Sequence, residues 1–415
     1  MDLCFRLPPF RDRDLWPLAR TALLRGHRVY YSIAGKDGLR ALVAQDRRTP
    51  FDLVVSAEGA LPEEDCARLR KKPRRVELIF NGLIEIAGRF LPPRPRPGEG
   101  TTLALMDRAL CSATRQLGFE RSVFLPYGVV PFRYAEPGYY PRRLGRRASG
   151  WLVPEDLARP PGALARLGAR FAGQFPRARR HDVVFLGECK LGPRPELLSS
   201  IRSRFLVSTP QGEVEAIERR MRSLLQAPQL PAAATFEREL ARALDSLPGD
   251  APARTAKALL GEHYQHQYRT ARRLHLVRGL KAALGARFRL YGDDFRALGV
   301  DAAPTSHGAT EAKYLSAKIA LDFGSNSYDT TFYTRSVRIV ACESLLLQLR
   351  QPDASAALGG VAPLVTFETA DAMLEGVEHF LASPQRRTDT SAALSARASS
   401  GAGMDHAVKA LEQLR

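Results

Sequence analysis

Short apolar runs that alternate with amphipathic stretches constrain this chain more than any single motif. "LCFRL", "VYYSI", "FDLVVS", "RRVELIF", "RALCSA" and "SVFLPYGV" read as successive strands in the first 130 residues, with the helical spacing of "DLWPLARTALLRGHR" after the first. Strands alternating with helices fold as a parallel sheet covered on both faces, and ligands then sit past the carboxyl ends of the strands. A second alternating block starts at "HDVVFLG" and continues through "RFLVST", "RFRLYG" and "YLSAKIALDFG". "RSVRIVACESLLLQL" reads as one helix, "VAPLVTF" as a late strand and "ADAMLEGVEHFLAS" as a helix. The spacing therefore predicts two α/β lobes facing a cleft.

The segment between the lobes breaks the pattern. Residues 133–180 hold eleven Arg against three acids, with many Pro and Gly, and read as a basic insertion or linker. The expected organisation is an N-terminal lobe over 1–132, this insertion over 133–180, and a second lobe over 181–387. A loose Ser/Ala/Gly-rich tail with a last short helix then occupies 388–415. At 415 residues the chain suits two domains. No run approaches the length of a membrane span, the first residues are too soon charged for a signal peptide, and five scattered cysteines suit a reducing cytoplasm. The net charge of +18 has two explanations, an Arg-rich composition or an anionic partner.

Few residues carry chemistry. Gly187 and Gly292 end strands, where a missing side chain lets the backbone approach a ligand, and Lys190 and Arg194 follow the first. "TRSVRIVACESLLL" places Arg335 and Arg338 at the mouth of a helix and Glu343 inside its apolar run. A helix N-terminus already carries a positive dipole end, so added arginines there call for an anion or for a fold-back onto Asp322 or Asp329. Tyr291 and Tyr314 are candidate walls for a nucleotide base, or core aromatics. Glu58 and Glu85, just past strand ends, are the candidates for a general base. His263 and His266 share a helical face without a third ligand and read as an ordinary helix surface. Asp293 and Asp294 read as a turn cap. No GxSxG, P-loop, HExxH or paired CxxC motif occurs.

"DVVFLGECKLGPR", "FRLYGDDF", "YLSAKIALDF", "RSVRIVACESLLL", "LEGVEHFLASPQRR" and "DHAVKALEQL" follow one another in an order that resembles the glycosyltransferase-like domain of the CgeB/YkvP spore-protein family. "RGHRVYYS", "FDLVVS" and "DRALCSATRQLGFERSVFLPYGVVP" resemble the matching first lobe. The resemblance implies a GT-B fold, a nucleotide-sugar donor on the C-terminal lobe, an acceptor on the N-terminal lobe, and no obligatory metal or other cofactor. Gly187, Arg194 and Arg335 match the family pattern. Arg338 stands where the family has Glu, and Glu343 where it has Gly or a small residue. The first exchange replaces an acceptor of hydroxyl hydrogen bonds with a donor suited to phosphate.

Three functions follow. The first is a metal-independent glycosyltransferase acting on an unknown, possibly anionic, acceptor. The second is a GT-B-like binding or partner protein without catalysis. The third is a nucleic-acid-associated modifying protein, suggested by the charge.

Overall fold

Six runs of mostly buried residues assemble into one parallel sheet. They are β1 (Asp2–Leu7), β2 (Arg28–Ile33), β3 (Leu53–Ala57), β4 (Arg74–Ile79), β5 (Thr101–Leu105) and β6 (Ser122–Phe124). A seventh strand, β7 (Gly150–Leu152), closes one edge antiparallel to β2, in the order β6-β5-β4-β3-β1-β2-β7. β3 and β5 are buried at every position, as strands covered on both faces must be. The structure is a computed structural model that describes residues 1–7, 12–57, 60–70, 73–79, 101–105, 107–119, 121–125, 150–152, 179–189, 195–227, 229–304, 310–324, 332, 334–399 and 402–414.

The second sheet is wholly parallel, in the order β12-β11-β10-β8-β9. Its strands are β8 (His181–Leu186), β9 (Phe288–Tyr291), β10 (Ala317–Asp322), β11 (Leu345–Leu349) and β12 (Thr366–Phe367). The two Rossmann-like lobes expected from the alternation are thus present.

Helices cover these sheets: α1 (Asp12–Leu24), α2 (Lys36–Arg48), α3 (Arg108–Gln116), α4 (Pro195–Phe205), α5 (Gln211–Leu225), α6 (Ala233–Asp245), α7 (Ala251–Leu284), α8 (Thr334–Ala341), α9 (Ala370–Ala382), α10 (Pro384–Ser399) and α11 (Ala402–Gln413). Several expectations are corrected. "RALCSA" lies in α3, not in a strand, because Asp107 caps that helix by accepting the Leu110 N–H; the fifth strand is "TTLAL" instead. "RFLVST" is the end of α4 and a turn, with Val207 exposed. "VAPLVTF" is mostly helical turn and contributes only the two residues of β12. The stretch read as loose from 388 is helical up to Ser399 in α10, which buries Leu394, while the last helix expected near the end is α11, which buries Ala407, Val408 and Leu411.

The chain does not divide its cores at the lobe boundary. Helices α4 to α6 and the first half of α7 share a core with β5 and α3 of the first lobe, including Leu103, Leu105, Phe236, Tyr264 and Tyr268. The second half of α7 enters the core of the second lobe through Leu274, Val277, Leu280 and Leu284. One 34-residue helix therefore belongs to both. The C-terminal α11 crosses back as well, packing Ala407, Val408 and Leu411 against Leu18, Ala19 and Ala22 of α1. Arg25 clasps Glu412 at 2.9 Å and Asp405 at 3.2 Å, and His27 meets Glu412 at 2.7 Å. Such exposed pairs add little energy, so apolar burial holds α11 in place. We expect Leu411→Ala to cost about 2–3 kcal/mol, read as a lowered denaturation midpoint, because the fully buried side chain leaves a cavity between α1 and α11.

Candidate functional site

The carboxyl ends of β8, β9 and β10 meet around three glycines. Gly187, just past β8, donates its N–H to the carbonyl of Tyr291 at 3.1 Å, and Gly292 donates to Ala303 at 3.0 Å. A Cβ on Gly292 would sit 2.2 Å from the Gly187 carbonyl oxygen, and its φ of 149° is one that side chains avoid. Gly324, past β10, has φ 76°, and a Cβ there would strike the Gln351 amide at 2.3 Å. The two strand-end glycines read from the sequence thus touch each other. Close approach of neighbouring strands is sufficient reason for Gly292, while a Cβ on Gly187 would crowd the Phe185 ring, at 2.7 Å.

Arg335 stands at the start of α8 and reaches across this floor. Its Nη1 donates to Asp322 Oδ1 at 2.8 Å and to the Gly324 carbonyl at 3.2 Å. Its Nη2 lies 3.5 Å from where a Cβ on Gly187 would be, and the guanidinium covers the Phe185 ring at 5.3 Å. One cation therefore spans the ends of β8 and β10. Asp322, 1% exposed, also accepts the Gly324 N–H at 2.9 Å and the Ser336 hydroxyl. Ser336 Oγ is also 2.9 Å from the Gln348 amide oxygen, while Gln348 Nε2 finds no partner. One hydroxyl proton cannot serve both acceptors; turning the Gln348 amide over lets Nε2 donate to Ser336, whose proton then goes to Asp322. A buried pair of this kind sets geometry more than it adds stability.

A second guanidinium comes from a helix that no motif marked. Arg273 of α7 donates to the Glu188 carbonyl at 2.7 Å and the Gly324 carbonyl at 2.6 Å. It ties the loop after β8 to the loop after β10 and approaches the same Phe185 ring, at 5.9 Å. Asp294, read as a turn cap, instead accepts the Cys189 N–H at 3.2 Å, which anchors the β8 loop from the β9 side. Burial pushes the Cys189 thiol up to about 11, so it stays protonated.

The remaining candidates separate. Tyr314 is a fully buried core aromatic whose phenol burial pushes up, and it presents no face to a base. Tyr291 packs under Lys313, whose Nζ is 4.4 Å from the ring centre, and turns its hydroxyl to His181 at 3.5 Å. Arg338 is half-buried on α8, one turn beyond Arg335. Lys190, Arg194, Glu58, Glu85 and Asp329 lie outside the described residues. His263 and His266, read as surface, are both buried.

Glu343 proves exposed, and the run around it is not one helix. α8 ends at Ala341 and β11 begins at Leu345. Between them the Glu343 N–H bonds the Val340 carbonyl at 2.9 Å and the Ser344 N–H bonds Ile339 at 3.4 Å, the pattern of a Schellman ending. That ending needs a left-handed residue, and Glu343 supplies it at φ 57°. The Gly or small residue that the family resemblance leads one to expect here is the residue such a turn favours. The acid is a backbone compromise, and its carbonyl is held by Arg179 at 2.9 Å and Ser391 at 2.8 Å. We expect Glu343→Gly to raise stability by about 1 kcal/mol, seen as a higher denaturant midpoint, without changing ligand affinity.

A sequence model described as "Glycosyl transferase-like" matches residues 269–413, which include Arg273, Asp322, Gly324 and Arg335. Among curated proteins, none matches this chain in sequence. Solved structures to which it is similar include the phage T4 β-glucosyltransferase in complex with UDP-glucose, at 10% identity and TM-score 0.48, covering 100% of this chain and 99% of that one. A glycosyltransferase from Rickettsia africae is similar at 10% identity and TM-score 0.40, covering 100% and 97%. HepE of Anabaena, in complex with UDP and glucose, is similar at 11% identity and TM-score 0.38, covering 99% of each chain.

Proposed function

We propose that this chain is a glycosyltransferase that moves a sugar from a nucleotide-sugar donor, bound by the second lobe, to an acceptor bound by the first. The observation that carries this reading is Arg335, fixed by Asp322 at the mouth of α8 over the glycine-lined ends of β8 and β10. Arg335, Asp322 and Gly324 fall within the segment that matches the glycosyl transferase-like model, whereas β8 and Gly187 precede it. Transfer leaves a negative charge on the departing diphosphate. A fixed guanidinium and the N–H groups of a helix start stabilise that charge as it develops. Arg338, one turn further along α8, adds a second positive group, and Lys190 and Arg194, which follow Gly187 in the sequence, are further candidates in this reading.

Because these groups carry the charge, the reaction needs no metal. Activity is expected to survive exhaustive treatment with EDTA, and its loss with recovery on adding a divalent cation would reject this part of the reading. The ordered second-lobe motifs point to a CgeB-like member of the glycosyltransferases. The five buried free thiols suit work in the cytoplasm.

The acceptor is anionic in this reading. Residues 1–180 hold 33 basic and 18 acidic side chains, against 29 and 26 in the rest, so most of the net charge lies with the acceptor lobe and the insertion. Nucleic acid is one such acceptor, and retention on DNA that collapses as salt rises would single it out. Among the described residues no helix is long and apolar enough to cross a membrane.

The direct test is incubation with a panel of labelled nucleotide sugars, scored for nucleotide release, beside thermal shifts with the free nucleotides. Release from at least one donor is expected. Binding without release would leave a non-catalytic binding protein, and neither release nor any shift would reject the donor site.

A further inference from the structure

The long helix α7 carries a buried polar face that the donor site leaves unexplained. Glu262, His266, Thr270 and Arg273 are each at most 9% exposed. At roughly 100° per residue they share one sector about 80° wide. Val277, Leu280 and Leu284 continue that sector into the core of the second lobe, whereas Leu260, Tyr264 and Tyr268 point the other way, into the core shared with the first. In that same sector Leu259 precedes the polar residues and lies in the core shared with the first lobe, while Val277 follows them into the second, so the polar residues occupy the stretch where the helix passes from one core to the other.

Hydrogen bonds to the strand-end loops fix where that face begins. Arg273 bonds the carbonyls of Glu188 and Gly324, and the Thr270 carbonyl receives the Cys189 thiol at 3.8 Å. Both contacts are to the loops that end β8 and β10, so the face rises directly from the floor on which Arg335 lies. His266 is two helical turns above Arg273, about 10 Å along the axis. That distance is what a hexose and the attacking hydroxyl occupy beyond a diphosphate. Glu262 stands one further turn up in the same sector. His263 is turned toward the edge of the sector, with its ring 5.0 Å from that of Tyr264.

We propose that this face of α7 is the transfer wall of the site and that His266 is the base that takes the acceptor's proton. The inference rests on the donor reading above. In the step, the acceptor oxygen bonds to the anomeric carbon while the bond from that carbon to the diphosphate oxygen breaks. The electron pair leaves on the diphosphate beside Arg335, and the hydroxyl proton passes to an imidazole nitrogen of His266. A single displacement of this kind inverts the anomeric centre.

Inorganic pyrophosphate is the probe, because it needs no knowledge of nucleotide or sugar. The chain has eight histidines, so ring resonances of histidine-labelled protein can be followed, with His266→Gln used to assign the signal. Should that variant fail to fold, the wild-type titration with His266 assigned through labelled neighbours decides the matter. Pyrophosphate is expected to bind, to shift the His266 signal and to leave that of the exposed His379 in place. With the donor that the nucleotide-sugar panel returns, His266→Gln should lower kcat about 100-fold or more while KM stays within about twofold. Pyrophosphate binding with His266 unmoved, or kcat within about tenfold of wild type, overturns the proposal and leaves the donor reading standing. No pyrophosphate binding at all removes the donor reading, and this proposal with it.

Discussion

The double variant Arg335→Ala, Asp322→Asn should stay folded and lose nucleotide-sugar affinity by about two to three orders of magnitude. Losing a charge-assisted contact to the diphosphate accounts for roughly 3–4 kcal/mol of binding. The single variant Arg335→Ala is a poorer experiment. It would leave Asp322, 1% exposed, with only the Gly324 N–H and the Ser336 hydroxyl named above, and an uncompensated buried carboxylate costs about 3 kcal/mol or more. Calorimetry on the double variant, with a denaturation curve beside it, separates the two effects. If affinity is unchanged while the fold is intact, Arg335 serves only to close the ends of β8 and β10.

Gly292→Ala should be the most damaging single exchange of a small side chain in the second lobe. The backbone at that position, φ 149° and ψ 122°, belongs almost to glycine alone, and holding another residue there costs about 1–3 kcal/mol. The added methyl also meets the Gly187 carbonyl oxygen at 2.2 Å, a contact with backbone that no rotamer change can relieve. A total of at least about 3 kcal/mol is expected. Gly187→Ala should cost less, since its obstacle is the Phe185 ring, which can turn. Urea denaturation of both variants tests the order, and a Gly292→Ala protein as stable as wild type would show that β8 and β9 do not approach as described.

Much of the fold was legible in the chain because parallel strands buried on both faces are short apolar runs. β1 to β4 and β8 to β10 lie where those runs lie. Errors arose where a local device outweighed the pattern. The side chain of Asp107 turns "RALCSA" into a helix, and a left-handed Glu343 breaks one apolar run into α8 and β11. In the site, Arg335 was legible from its place at a helix start, whereas its engagement with Asp322 is a tertiary fact. Arg273 was not legible at all, and His266 read as an ordinary helix surface although it is buried. On a helical wheel a polar face reads as solvent-facing, and only the crossing of α7 between two lobes covers it. An amphipathic pattern identifies a polar face without identifying what it faces.

The return of α11 to the first lobe has a consequence for biogenesis. Residues 402–413 follow every strand of the second lobe in order of synthesis, yet they complete the apolar layer over α1. The first lobe must therefore wait, with Leu18, Ala19 and Ala22 uncovered, until translation has passed the whole of the second. A ribosome stalled late in the message would release a chain with an open seam in its earliest-made half, a surface that chaperones and proteases recognise.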